Sequence, residues 1–172
     1  MPGQENYRYT PFEVIELMGE DSIPEIVIIS SNKKEYLDLL LVADESEFMI
    51  DKYLERGVMF GLFDDGLKSI CVVAHESADI CELKNIATYE TWRGRGYGSM
   101  LLQHVCSFYS GRYTTMMVGT GDTPAAIRFY RKNGFAISHR IEGFFTDNYD
   151  HPMYESGIQL VDMVYLSRKL ND

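Results

Sequence analysis

The spacing of hydrophobic and polar positions changes several times along the chain, which predicts alternating strands and helices. Apolar residues at helical spacing, ended in two places by Gly57 and Gly134, predict helices. Short runs of β-branched and aromatic residues predict strands. The predicted helices are 33–42, 47–55, 97–110 and one that begins at Thr123 and Pro124 and ends at Gly134. The predicted strands are 25–30 (expected to be buried), 58–63, 68–75, 80–88, 113–118, 135–140 and 160–166, and residues 142–157 are predicted to form a long polar-aromatic loop.

The order of these elements predicts one mixed sheet. Asp64-Asp65-Gly66 is a hairpin signal between two predicted strands. The strand–helix–strand order over residues 80–118 is typical of a βαβ unit and therefore of a parallel strand pair. The class is α/β or α+β around a single sheet. No repeat or low-complexity linker interrupts the sequence, so residues 1–172 are predicted to form a single domain.

The charge balance argues against a nucleic-acid partner. Sixteen basic and twenty-six acidic side chains give a net charge of -10, whereas phosphate backbones need concentrated Lys and Arg. An acidic surface instead favours cationic partners such as amines.

A cytoplasmic location without a membrane partner or a metal is expected. No apolar run approaches the ~20 residues that cross a bilayer, and the first ten residues lack the pattern of a signal peptide. The three cysteines have no CxxC spacing, and no histidine has a ligand partner at metal spacing, so free buried thiols and no metal site are expected.

A glycine-rich turn is the main candidate for chemistry. Gly94, Gly96 and Gly98 lie between a predicted strand and an amphipathic helix, where glycines and free helix N–H groups suit a diphosphate. The dinucleotide fingerprint would need glycine at position 99, which is Ser99, and no Gly-Lys-Ser/Thr triplet of an NTPase loop occurs. A merely tight connection is the alternative interpretation.

The turn is part of a wider resemblance. Arg93-x-x-Gly96-x-Gly98, the preceding Glu-Leu-Lys-Asn-Ile-Ala-Thr over residues 82–88, and Ala-Ile-Arg-Phe-Tyr-Arg-Lys-Asn-Gly-Phe over residues 126–135 resemble the GNAT (Gcn5-related N-acetyltransferase) superfamily. The resemblance spans residues 33–140, with 160–166 as a closing strand. It implies a single mixed, mostly antiparallel central sheet with a splayed parallel pair, flanked by helices. It also implies an acyl-CoA-dependent N-acyltransferase that transfers acetyl from acetyl-CoA to a primary amine by direct attack.

The resemblance also implies roles for individual residues. Tyr130 would be the general acid at the coenzyme sulfur; packing between helix and sheet, as expected for Phe129, is its alternative. Glu82, eleven residues before Arg93, would be the base; a solvated glutamate, or a surface glutamate that neighbours Lys84, is the alternative. The coenzyme would be bound by Ile86, Ala87, Thr88, Arg93, Gly94, Arg95, Gly96, Tyr97, Gly98, Ser99 and Thr123. Many members have an asparagine that contacts the coenzyme near the start of the helix that carries Tyr130, whereas this chain has Gly121-Asp122-Thr123 there. Thr123 is also suited to a helix cap.

The acceptor side is less defined by the sequence. Residues 43–46 and 144–154 would wall the acceptor site by resemblance, and their acids and aromatics suit an amine on an apolar or cationic body. A packed surface loop with solvated acids is the alternative for each. The sequence leaves open whether the acceptor is a small amine, an aminoglycoside, an amino acid or a protein amine. It also leaves open whether the protein forms a homodimer. The rival function is a CoA-binding sensor or interaction module without turnover.

Overall fold

The computed structural model of the protein describes residues 23–171. The predictions of a single domain over residues 1–172 and of no signal peptide in the first ten residues include residues 1–22, which lie outside that range.

Residues 23–171 contain both strands and helices. The strands are β1 (Glu25–Ile29), β2 (Val58–Phe63), β3 (Leu67–His75), β4 (Ile80–Thr88), β5 (Thr115–Gly121), β6 (Ala136–Ile141), β7 (Met153–Glu155), β8 (Ile158–Leu160) and β9 (Met163–Lys169). The α-helices are α1 (Leu37–Ala43), α2 (Glu47–Asp51), α3 (Tyr97–Tyr109), α4 (Pro124–Lys132) and α5 (Phe144–Asn148), and short 3-10 turns occupy Lys33–Tyr36 and Glu90–Trp92.

Seven of these strands form one sheet, in the spatial order β1-β2-β3-β4-β5-β9-β6, and β7 and β8 form a separate hairpin. All neighbours in the large sheet are antiparallel except the parallel pair β4 and β5. The mixed, mostly antiparallel sheet with flanking helices is therefore confirmed.

The sheet separates two hydrophobic cores. Cys71 and Val73 of β3 belong to the core under α3 and α4, whereas Ile70 and Val72 belong to the core under α1 and α2. This alternation along β3 places the two cores on opposite faces of the sheet.

A β-bulge in β4 changes which residues point to each face. Leu83 pairs with Val73 and Asn85 pairs with Val72, so Lys84 is the extra residue between them. Leu83 packs in the α3–α4 core, whereas Ala87, four residues later, packs in the α1–α2 core. The bulge therefore turns Asn85 towards α1, where a regular strand would have turned it towards α3.

Several sequence predictions need correction. The strand at 25–30 is a half-exposed edge strand rather than a buried one, with Ile28 50% exposed. The helix predicted over 47–55 ends at Asp51. The predicted loop 142–157 contains α5 and β7, and the predicted strand 160–166 covers the end of β8 and the start of β9. Elements of three to five residues are too short to show a recognisable hydrophobic periodicity in the sequence.

The three cysteines, Cys71, Cys81 and Cys106, are free and buried, as the sequence predicts. Within residues 23–171, no helix is long and apolar enough to cross a bilayer.

Candidate active site

The parallel strands β4 and β5 part halfway along their length. Their pairing runs only from Ile80 opposite Thr115 to Leu83 opposite Val118. From Lys84 onward, no strand among residues 23–171 pairs with the edge of β4 that faces β5, so main-chain groups on this edge can bind a ligand. The opening between the strands is part of a cavity of about 650 Å³. Its walls come from the α1–α2 loop, β4, the glycine-rich turn, β5, α4 and the segment 145–163.

The glycine-rich turn closes one end of this cavity. Gly94 and Gly96 have φ angles of 73° and 87°, in the left-handed region that favours glycine. A Cβ at either position would meet no protein atom within 4 Å, so both glycines face open space. Gly96 is the N-cap of α3, and Met100 is the first residue of that helix whose N–H donates back to Gly96. The N–H groups of the first helical turn are therefore available to an anion, which fits a diphosphate.

An aromatic residue between the strand and the turn holds the neighbouring cations. The Trp92 ring has the Lys68 Nζ 3.7 Å from its centroid and the Arg95 guanidinium 4.7 Å away. Arg93 donates from Nε to the carbonyl of Thr88, at 3.2 Å. These contacts keep positive charge beside the anion-binding end of the cavity.

Tyr130 lies on α4 and lines the cavity while only 7% exposed. Its ring is edge-on to Phe129 and Phe135. Burial raises the pKa of the Tyr130 hydroxyl well above its ordinary value, and the Glu155 carboxylate adds to this effect. The hydroxyl therefore stays protonated at neutral pH and has a proton to donate.

Glu82 lies next to the cavity rather than in its wall, which begins at Leu83. Its Oε1 accepts from Lys84 Nζ at 3.0 Å and from the Tyr165 hydroxyl at 3.3 Å. The Glu82 side chain is only 12% exposed, so it is not solvated, but it does pair with Lys84, as the alternative interpretation also allows.

The cavity walls include most of the predicted coenzyme-binding residues. These are Ile86, Ala87, Thr88, Arg93, Gly94, Gly96, Tyr97, Gly98 and Ser99. Arg95 and Thr123 are not among the wall residues. Thr123 is the N-cap of α4: its hydroxyl accepts from the Ala126 N–H at 3.3 Å and donates to Glu155 at 2.9 Å.

Two wall residues at the other end of the cavity were not singled out from the sequence, although both lie in segments that it highlighted. Asn85 turns to the α1 side only because of the bulge, and its Nδ2 donates to the Leu40 carbonyl at 3.0 Å. Tyr149 donates from its hydroxyl to Asp44 Oδ1, also at 3.0 Å, and so joins segments 105 residues apart. No local pattern marks a bulge or such a long-range bond; the sequence signals were the motif over residues 82–88 and the aromatic content of residues 144–154.

No group of three or more metal-ligating side chains occurs between residues 23 and 171.

Known proteins share both the sequence and the fold. The acetyltransferase (GNAT) domain matches residues 55–137. An uncharacterized N-acetyltransferase of Bacillus subtilis (strain 168), YvbK, is 35% identical over 135 residues, which cover 77% of this chain and 87% of that protein.

Solved structures of GNAT enzymes with bound coenzyme also match. A GNAT family acetyltransferase from Elizabethkingia anophelis with acetyl-CoA bound has a TM-score of 0.80 and 31% identity, covering 85% of this chain and 97% of the other. A Bacillus subtilis acetyltransferase in complex with CoA has a TM-score of 0.78 and 32% identity, covering 86% and 99%.

The protein belongs to the GNAT acetyltransferase family. It is an N-acetyltransferase, and acetyl-CoA is its co-substrate.

Proposed function

We propose that the enzyme transfers the acetyl group of acetyl-CoA to a primary amine by direct attack, within a complex of both substrates. The parting of β4 and β5 after Leu83 carries this proposal, because it opens free main-chain groups between the anion-binding turn and Tyr130. Coenzyme diphosphate on the turn would direct the pantetheine arm along residues 86–88. An N–H group there would face the thioester carbonyl and stabilise the oxyanion.

In this mechanism Tyr130 acts at the leaving group. Attack of the amine breaks the carbon–sulfur bond and places negative charge on sulfur, while the new carbon–nitrogen bond forms the amide. An ordinary thiol has a pKa of about 8.5, lower than that of the buried phenol. In its general-acid role Tyr130 therefore stabilises the developing thiolate by donating a hydrogen bond, and CoA leaves as a thiolate that takes its proton from solvent.

Glu82 is the proposed base. An amine reaches the enzyme largely protonated and has to lose a proton before it can attack. Because Glu82 lies one residue beyond the cavity wall, we expect a water molecule to carry that proton to its carboxylate. Tyr165 and Lys84 bind one carboxylate oxygen and hold the group in place.

The function is tested by mixing the protein with acetyl-CoA, an amine panel and a thiol reagent that detects free CoA. We expect amine-dependent CoA release with acetylated amine as the product. A protein that binds acetyl-CoA but releases no CoA with any amine would instead be the sensor module.

Gly96→Val should weaken acetyl-CoA binding more than tenfold, or by more than ~1.4 kcal/mol. The β-branched side chain would project into the space that the diphosphate needs, and a φ of 87° is strained for valine. Calorimetric titration of the folded protein measures the effect.

Gly66→Val is the matched control. Gly66 has a φ of 92°, and a Cβ there also meets open space, but it lies in the β2–β3 hairpin outside the cavity wall. It should lose similar stability and keep its affinity for acetyl-CoA. Wild-type affinity in Gly96→Val would refute the diphosphate assignment.

A further inference from the structure

We propose that Asp44 and Asn85 form the amine-binding end of the acceptor site, and that the acceptor is an ammonium group on an apolar body without a neighbouring carboxylate. The inference rests on the proposed transfer to an amine, and it narrows the acceptor class. It starts from a buried polar atom that lacks a partner.

Asn85 is 3% exposed and lines the cavity. Its Nδ2 donates to the Leu40 carbonyl and to the Tyr53 hydroxyl, both at 3.0 Å. The Leu40 carbonyl can only accept, so the amide nitrogen must face it and the orientation of the amide is fixed. Asn85 Oδ1 is then left as a buried oxygen without a hydrogen-bond partner among the described residues.

A buried carbonyl without a hydrogen-bond partner destabilises a folded protein. Buried acceptors in folded proteins are nearly always paired, so a donor that enters the cavity would recover this energy. An amine or ammonium group is such a donor. A carboxylate or a carbonyl is not.

Asp44 is the second residue of the proposed site. The Asp44 N–H donates to the same Leu40 carbonyl, at 3.2 Å, that accepts from Asn85. Because both donors share one oxygen, the two residues are close neighbours. Glu45, which follows directly, also lines the cavity and adds negative charge.

The Asp44 carboxylate has an oxygen to offer. Oδ1 accepts from the Ser46 N–H at 3.2 Å and from the Tyr149 hydroxyl at 3.0 Å, while no described residue is hydrogen-bonded to Oδ2. Burial raises the pKa of Asp44, and the two hydrogen bonds offset part of that rise. A cation at Oδ2 would compensate for the water that this carboxylate has lost.

The cavity wall carries charges of both signs, from Asp44, Glu45, Lys84, Arg93, Lys132 and Glu155, and Lys84 is paired with Glu82. Arg93 lies at the turn, where the diphosphate would bind, and Asp44 and Glu45 lie on the α1–α2 loop. Between them, Tyr149 stacks on Phe145 with ring centroids 5.7 Å apart, and Met163 adds to the apolar wall. An aromatic or alkyl body fits this wall. A carboxylate next to the amine would face Asp44 and Glu45 and be repelled.

The test uses three related amines: 2-phenylethylamine, phenylalanine and phenylalaninamide. Only phenylalanine carries a carboxylate. We expect kcat/KM for 2-phenylethylamine to exceed that for phenylalanine by at least about tenfold, with the uncharged amide closer to 2-phenylethylamine. Asp44→Asn keeps the side-chain shape, and it should raise the KM for 2-phenylethylamine about tenfold or more and reduce the discrimination against phenylalanine. The KM for acetyl-CoA should not change.

Glu55→Gln is the charge control, because Glu55 is exposed and outside the cavity wall. Glu55→Gln removes the same charge as Asp44→Asn, and it should leave kcat/KM unchanged for all three amines. Asn85→Ala, provided that its melting temperature shows a folded protein, should also raise the amine KM without changing the acetyl-CoA KM.

Calorimetric titration of 2-phenylethylamine into the CoA-saturated protein separates this inference from the proposed function. Weaker binding to Asp44→Asn than to wild type supports the amine site even if no acetyl transfer is detected. Equal affinities in the two proteins, or no amine binding to wild type, overturn the inference while acetyl transfer to other amines would still stand.

Discussion

The Tyr130→Phe enzyme should turn over about 100-fold more slowly than wild type and bind acetyl-CoA with unchanged affinity. The substitution removes only the hydroxyl from a ring that packs between Phe129 and Phe135. Loss of the hydrogen bond to the leaving sulfur raises the barrier, whereas the packing is kept. Single-turnover rates measured with saturating substrates report this step.

Two comparisons separate the catalytic role of Tyr130 from a packing role. Tyr109→Phe changes a buried tyrosine of the same core outside the cavity wall, and it should leave turnover unchanged. The loss in Tyr130→Phe should shrink with an acetyl donor whose thiol is more acidic, because a better leaving group needs less help. Wild-type turnover of Tyr130→Phe under conditions where chemistry limits the rate would make Tyr130 a core residue like Phe129.

Glu82→Gln should also lower the rate about 100-fold, within the usual range for loss of a general base. Glutamine keeps the shape of the side chain and still accepts from Tyr165, but it cannot take up a proton at neutral pH. Affinity for acetyl-CoA should stay nearly unchanged. The measurement is the pH–rate profile, which should differ between the wild type and the variant.

Glu76→Gln serves as the control for this variant. Glu76 pairs with Arg56 at the surface, 3.0 Å away, and is not part of the cavity wall. Its pH–rate profile should match that of the wild type. Identical profiles for wild type and Glu82→Gln would show that another group or a water molecule removes the amine proton.

The sequence was most informative where a local rule decides the structure. The hairpin at Asp64-Asp65-Gly66 was predictable because Asp65 and Gly66 both adopt positive φ. The cap at Thr123 and Pro124 was predictable because a hydroxyl and a fixed φ suit a helix start. The main sheet followed from strands long enough to show their pattern, whereas α5 and the β7–β8 hairpin did not.

In the candidate site, too, features set by local sequence could be predicted and features set by distant contacts could not. The turn at residues 93–98 could be found because its glycines lie together in the chain, and the positive φ angles of Gly94 and Gly96 favour glycine. The combination of Asp44 with Asn85 at the proposed amine-binding end could not be predicted, because it depends on the bulge at Lys84 and on the bond from Tyr149 to Asp44. Both arise from contacts between distant segments, which no local spacing records.

The three cysteines are buried and should therefore react little with thiol reagents. Burial raises the pKa of Cys81 to about 12 and also raises the pKa values of Cys71 and Cys106, so hardly any reactive thiolate is present at neutral pH. A reagent that counts thiols will therefore report the released coenzyme with little contribution from the enzyme. A cysteine introduced at Tyr154, on the rim of the cavity and 58% exposed, would be the single site for a fluorescent label that senses substrate entry.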